Sequence, residues 1–164
     1  MKVGGTHRSE ATSFTVQQLI ELVAKGDVRV PEWQRLFKWG AKDIRDLLDS
    51  VARGYPVGTL LLWRRPIPAP AGVLSIGPHR IDAPESTEAL WVIDGRQRLT
   101  SLAGTLLRRG APDRAPDARD RFAWAFDLAK ESWIKPRTGE AWKNEWLPAD
   151  RLVDATDLFA WVDS

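Results

Sequence analysis

The residues best able to do chemistry lie in one short run, Asp94-Gly95-Arg96-Gln97-Arg98. It sits between the apolar Trp91-Val92-Ile93 and the periodic Leu99-Thr100-Ser101-Leu102. The pattern predicts a short strand, a glycine turn and an amphipathic helix. A helix N-terminus carries backbone N–H groups without intrahelical partners and the positive end of the dipole, so it attracts anions. Gly95 would let a ligand approach the backbone closely. Arg96 and Arg98 add forked donors that suit phosphate oxygens. Asp94 is of the type that holds a metal ion or positions a water. Together they point to phosphate chemistry. The same five residues also compose an ordinary strand-to-helix turn, with Asp94 as N-cap or as ion-pair partner of a nearby arginine.

A second polar cluster, Gln34-Arg35 with Lys38, lies in the aromatic-rich stretch 31–39. Alone it reads as a surface loop pinned by its aromatics. Meeting the first cluster, it would complete a polar pocket with Trp33 or Trp39 as a stacking wall. Arg64-Arg65, at a predicted strand end, is either simply exposed or a contact to nucleic acid. Two histidines, His7 and His79, and no cysteine leave no convincing metal-nuclease site or Ser-His-Asp triad. No GxxxxGK[ST] pattern occurs, so nucleotide binding of the P-loop kind is excluded.

The elements that must position these groups follow from periodicity and turn residues. A first helix is expected at about 15–25, with Thr15 as N-cap, Gln18 completing a capping box and Gly26 as stop. A short strand at 28–30 ends at Pro31. A second helix spans 41–53, where Ile44, Leu47, Leu48 and Val51 form one stripe, and Gly54 ends it. Residues 49–58 around Tyr55-Pro56-Val57-Gly58 read as mostly structural, and 59–63 as a buried strand. The proline-rich 66–89 reads as a surface loop or insertion. Strand 90–93 and helix 97–109 follow, then a polar connector at 112–120. In 122–128, Phe122, Trp124, Phe126 and Leu128 alternate with Ala123, Ala125 and Asp127, a half-buried strand. A last helix is expected at 154–162.

Composition bounds the rest. The 164 residues suffice for one domain with its own core: a loose segment at 1–12, then a single unit over 13–164, expected to be the front part of a longer protein. Net charge is only +2, but residues 1–65 hold 11 Lys/Arg against 7 Asp/Glu and residues 112–164 hold 8 against 11. The N-terminal part is therefore the better place for an anionic partner. Absence of cysteine rules out disulfides and thiolate zinc sites and fits a reducing cytosol. No apolar run is long enough to span a membrane. Most of the nine tryptophans are expected in the core.

Three segments, in order and spacing, resemble the N-terminal domain of GmrSD-type, modification-dependent restriction proteins. That family shares P-x-[YW]-Q-R-x-[YF]-x-W, then D-S-[IV]-x-x-G-x-P-[IV]-G, then I-D-G-Q-Q-R-L-T-[ST]-L. They stand here at 31–39, 49–58 and 93–102. The resemblance implies an α/β fold of the ParB/sulfiredoxin-like kind, a small mixed sheet flanked by helices. It implies that the D-G-Q-Q-R motif binds and hydrolyses a nucleotide, and that modified DNA is recognised and then cleaved or nicked. By position, Asp94, Gly95, Gln97 and Arg98 match that motif, and Gln34 and Arg35 match the first. Arg96 departs from it, replacing the first glutamine.

The expected function is thus an NTP-binding, Mg-dependent NTP-hydrolysing sensor domain, with ATP, GTP, CTP and UTP all open. Asp94, Gln97 and Arg98 would be catalytic, with Asp94 at the metal. Gly95, Arg96, Gln34, Arg35 and Lys38 would bind phosphate or nucleotide. DNA, a nuclease domain or subunit, and a second copy of the chain are the expected partners. The competing expectations are a DNA-binding module without catalysis, and a partner-docking module that keeps only the fold.

Overall fold

The computed structural model describes residues 10–31, 33–65, 67–107 and 119–163. The expectations for His7, for most of the loose N-terminal segment and for connector residues 112–118 lie outside them.

Helix α1 (Val16–Ala24) starts as its capping residues dictate. Thr15 Oγ1 accepts from the Gln18 amide at 3.1 Å, and Gln18 Oε1 accepts from the Thr15 amide at 2.9 Å. These bonds satisfy two of the donors a helix start leaves unpaired. Gly26, at φ +75°, follows the helix end. Strand β1 (Val28–Arg29) leads into the loop 31–39, and α2 (Ala41–Ala52) buries Ile44, Leu47 and Leu48. Strand β2 (Leu61–Arg64) comes next.

Residues 72–83 are not irregular. They form the antiparallel hairpin β3 (Gly72–Ile76) and β4 (His79–Ala83), whose Ile76, Ile81 and Ala83 are buried. Prolines flank this hairpin and Pro78 sits in its turn, which is why the segment reads as a loop. Arg29 fastens both flanks. It is buried, and donates to the Pro70 carbonyl at 3.3 Å and the Pro84 carbonyl at 2.5 Å. Burial lowers the pKa of its guanidinium, against the opposing charge of Asp27.

Strand β5 (Leu90–Asp94) runs straight into α3 (Arg96–Leu106). It is the middle strand of a mixed sheet in the order β1-β5-β2, parallel to β1 and antiparallel to β2. The chain is a mixed α/β fold in which this sheet and its helices share one core. Helix α3 is the axis of that core: eight of its eleven residues are buried. It ends at Leu106, because Leu107 turns to extended geometry, and residues 108–109 of the expected helix lie outside the described ones.

Strands β6 (Ala125–Asp127), β7 (Ser132–Ile134) and β8 (Trp146–Pro148) build a third sheet in the order β7-β6-β8. The alternation expected at 122–128 holds at Phe122 and Trp124, which are buried, and breaks from Ala125 onward. Ala125 and Asp127 are buried, whereas Leu128 is exposed. Asp127 can go inside because it is saturated. Its Oδ1 accepts from the amides of Ala129 and Lys130, and its Oδ2 from Trp146 Nε1 and Lys130 Nζ, all within 3.2 Å. A short 3-10 turn (Ala149–Arg151) and helix α4 (Ala155–Val162, N-capped by Asp154) complete the chain.

Two further expectations are corrected. Strand β2 is not buried, since it is the edge of its sheet and exposes Leu61 and Trp63. Only Trp124, Trp133 and Trp146 of the nine tryptophans are buried. The others sit on the edge strand, the outer face of β5, the loops and α4, where apolar area stays in contact with water.

Candidate functional site

The strand-to-helix junction is where the three sequence segments converge. Gly95 takes φ +91°, a left-handed conformation that a side chain disfavours. The space a Cβ would need there is filled by Leu60 and, at 3.3 Å, by Arg98 Nη2. The close approach that Gly95 permits in this fold is therefore that of its own neighbours. Among the described residues no side chain caps α3, so its first amides and dipole end keep their anion-attracting character.

The loop 31–39 is bolted onto this junction by side chains from both partners. Gln34 Nε2 donates to the carbonyls of Val92 at 3.1 Å and Ile93 at 2.8 Å. In return, Gln97 Oε1 accepts from the amides of Lys38 at 2.7 Å and Trp39 at 3.2 Å. Gln97 Nε2 donates to the Leu36 carbonyl at 3.1 Å. Arg96 Nη1 donates to the carbonyls of Gln34 at 2.5 Å and Arg35 at 2.8 Å. Burial lowers the Arg96 pKa from the usual arginine value. Gln34, Arg96 and Gln97 thus spend these donors and acceptors on backbone and hold the loop in place. Aromatic packing helps: Phe37 and Phe122 lie with ring centroids 5.2 Å apart.

Other side chains of the two clusters remain accessible. Arg98 is partly buried and donates through Nη1 to the Val57 carbonyl at 3.2 Å. Its Nη2 lies 3.4 Å from Asp94 Oδ2, a long contact to a carboxylate whose side chain is 74% exposed. A guanidinium has five N–H donors, so Arg98 keeps some for an anion. Arg35 and Lys38 are exposed and make no ion pair among the described residues. Trp33 is 70% exposed, while Trp39 packs partly against the core, so only Trp33 offers a wide free ring face.

The 49–58 segment contributes more than its sequence announces. Val57 supplies the carbonyl that orients Arg98, and Gly58 at φ +80° lies against the same guanidinium. Its signals in the sequence are the family pattern at 49–58 and the clustering of Gly, Pro and Gly after a helix, which mark a turn without saying what the turn touches.

Among the described residues no three His, Cys, Asp or Glu side chains gather as a metal site. Asp94 offers one carboxylate. Mg²⁺ commonly takes one or two carboxylates and fills its remaining positions with waters and substrate phosphates. A single acid therefore fits an ion that arrives with a phosphate ligand, not a resident one.

Fold and site together define a mixed α/β domain organised around a strand–glycine–helix turn and the loop clamped to it. Residues 16–152 match the family of GmrSD restriction endonuclease N-terminal domains, and the chain belongs to that family. An uncharacterized protein of Methanocaldococcus jannaschii is 35% identical over 125 residues, covering 72% of this chain and 21% of that protein. The chain thus spans about a fifth of the length of that relative. No solved structure matches it. No helix of the described residues is long and apolar enough to cross a membrane.

Proposed function

We propose that this domain binds the phosphates of a nucleotide at the β5–α3 turn and supports their hydrolysis, as the sensing part of a restriction system acting on modified DNA. The observation that carries the reading is the placement of Arg98. It stands at the uncapped start of α3, oriented by Val57 and beside the exposed Asp94. Helix amides and a partly buried guanidinium are the groups that stabilise charge on a transferring phosphoryl.

In this reading the chain's own residues divide the work. The amides of α3 and Arg98 bind phosphate oxygens. Asp94 orients a water or meets the Mg²⁺ that the nucleotide brings, and that ion would neutralise phosphate charge. Arg35 and Lys38 draw the anion in, and Trp33 offers a ring face to a base. Gln34, Arg96 and Gln97 keep the loop and turn in register. Family membership supports the restriction setting, with DNA and a nuclease domain or subunit as partners. Action at cytoplasmic DNA is part of the same proposal.

A second reading keeps the fold and drops the catalysis: a module that grips DNA phosphates with Arg35 and Lys38. The observation favouring it is that Gln34, Arg96 and Gln97 are already engaged with backbone.

The test is nucleotide binding and release of phosphate with Mg²⁺, titrating ATP, GTP, CTP and UTP, for the intact chain and for Arg98→Ala. Turnover that depends on Arg98 supports the first reading and names the substrate. Absence of nucleotide binding, with salt-dependent binding of DNA, overturns it for the second.

A further inference from the structure

The sheet holds a surface that the nucleotide site does not use. Trp63 and Trp91 are cross-strand partners on β2 and β5, and so lie side by side on one face of the sheet. Leu62 and Val92, the next pair along, face the core on the other side. Arg65 lies over both indoles, its guanidinium carbon 5.6 Å from the Trp63 ring centre and 5.5 Å from that of Trp91. Both distances are within cation–π range.

Two features separate this stack from a brace that merely stiffens the edge. Trp63 remains 48% exposed, on an edge strand with no further strand beyond it among the described residues. Arg65 also carries a charge that is unpaired among the described residues. Its neighbour Arg64 is paired with Glu88 at 2.9 Å, whereas Arg65 makes no ion pair among the described residues. The surface therefore offers a half-exposed indole and, lying over it, a positive charge held in place by two indoles.

We propose that the Trp63–Arg65–Trp91 stack docks single-stranded nucleic acid, an unpaired base stacking on Trp63 while an adjoining phosphate meets Arg65. An aromatic platform beside a cation is the chemistry that binds unpaired bases with little regard to sequence. Duplex fits poorly, because its base faces are covered by their neighbours. The charge on Arg65 selects an anionic partner over a neutral peptide strand adding to the edge. The proposal goes beyond the nucleotide site and does not require it, since none of its three residues belongs to that site.

The test uses the intact chain and a fluorescein-labelled thymidine oligomer, read by anisotropy across a salt series. Melting curves confirm that each variant is folded. The single strand binds more tightly than the same oligomer in duplex. Trp63→Leu, which keeps apolar bulk and loses the π face, weakens binding roughly 5- to 150-fold, and Trp63→Phe retains most of it. Arg65→Gln lowers the slope of log affinity against log salt by about 0.7, the share of one phosphate on a single strand, and Arg65→Lys restores it. Arg98→Ala leaves all of this unchanged, so failure of the nucleotide site is told apart from failure here. Equal binding by wild type and Trp63→Leu overturns the proposal. So does a chain that does not bind the oligomer at all.

Discussion

Arg98 lies so close to Gly58 that a Cβ built on the glycine would collide with its guanidinium. These residues are 40 positions apart in the chain. Their contact joins the turn after α2 to the start of α3. The Val57 carbonyl then fixes the direction of the guanidinium. The glycine is thus part of the mould that aims Arg98, as well as a residue at positive φ.

Gly58→Ala should therefore act twice. It strains a backbone at φ +80° and pushes Arg98 aside. The expected loss is about 1–3 kcal/mol of stability, read by denaturant unfolding, with a parallel fall in nucleotide affinity. An unchanged affinity in a folded Gly58→Ala protein would show that the aim of Arg98 does not matter.

Arg98→Lys keeps the charge and loses the fork. A lysine cannot hold the Val57 carbonyl and a phosphate in the same planar geometry. Nucleotide affinity should fall about tenfold or more, at a cost of about 1.4 kcal/mol per tenfold, with little change in the melting temperature. Titration calorimetry on both proteins checks it.

Gln97→Ala removes three hydrogen bonds that tie residues 36, 38 and 39 to α3. Bonds of this kind contribute about 0.5–1.5 kcal/mol each, and more when a buried partner is stranded. The loop 31–39 should then exchange amide hydrogens faster, while the protection of α3 persists. Amide exchange read by mass spectrometry distinguishes this local loosening from global unfolding.

Asp127 makes the third sheet sensitive to acid. Burial pushes its pKa up, but hydrogen bonds from Lys130 and Trp146, and the Lys130 charge, outweigh burial and hold it below the usual carboxylate value. A depressed folded pKa means the stabilisation is fully present above the unfolded value of about 3.9. It is lost as pH falls through the folded pKa. Melting temperature should therefore decline below about pH 4 in the wild type. In Asp127→Asn it should start lower and lose this component of the decline. A wild-type decline that Asp127→Asn leaves unaltered would assign the acid sensitivity to other carboxylates.

Much of the frame can be read from the chain alone, because its signals are local. The Thr15–Gln18 capping box, the apolar stripe of α2 and the glycine between β5 and α3 each act within a few residues, and each stands where its pattern places it. The pattern misleads where local signals conflict with tertiary ones. Prolines 66, 68, 70, 78 and 84 conceal the alternation of the β3–β4 hairpin. Asp127 is buried against its polarity because Lys130 and Trp146 converge on it, and Trp146 is 19 residues away.

The candidate site divides along the same line. Residue types and order alone mark Gln34, Arg35, Asp94, Gln97 and Arg98 as belonging to one chemistry, and the match over residues 16–152 agrees on the family. Their division of labour is a matter of three dimensions. A glutamine or arginine has the same donors whether it faces a phosphate or a carbonyl. Only the folded chain brings the carbonyls of residues 34–36, 57, 92 and 93 within about 3 Å of these side chains. That proximity makes Gln34, Arg96 and Gln97 the clamp, holds Arg98 between the Val57 carbonyl and Asp94, and leaves Asp94, Arg35 and Lys38 exposed. A backbone carbonyl is the same at every position of the sequence, so packing alone selects which ones these side chains meet.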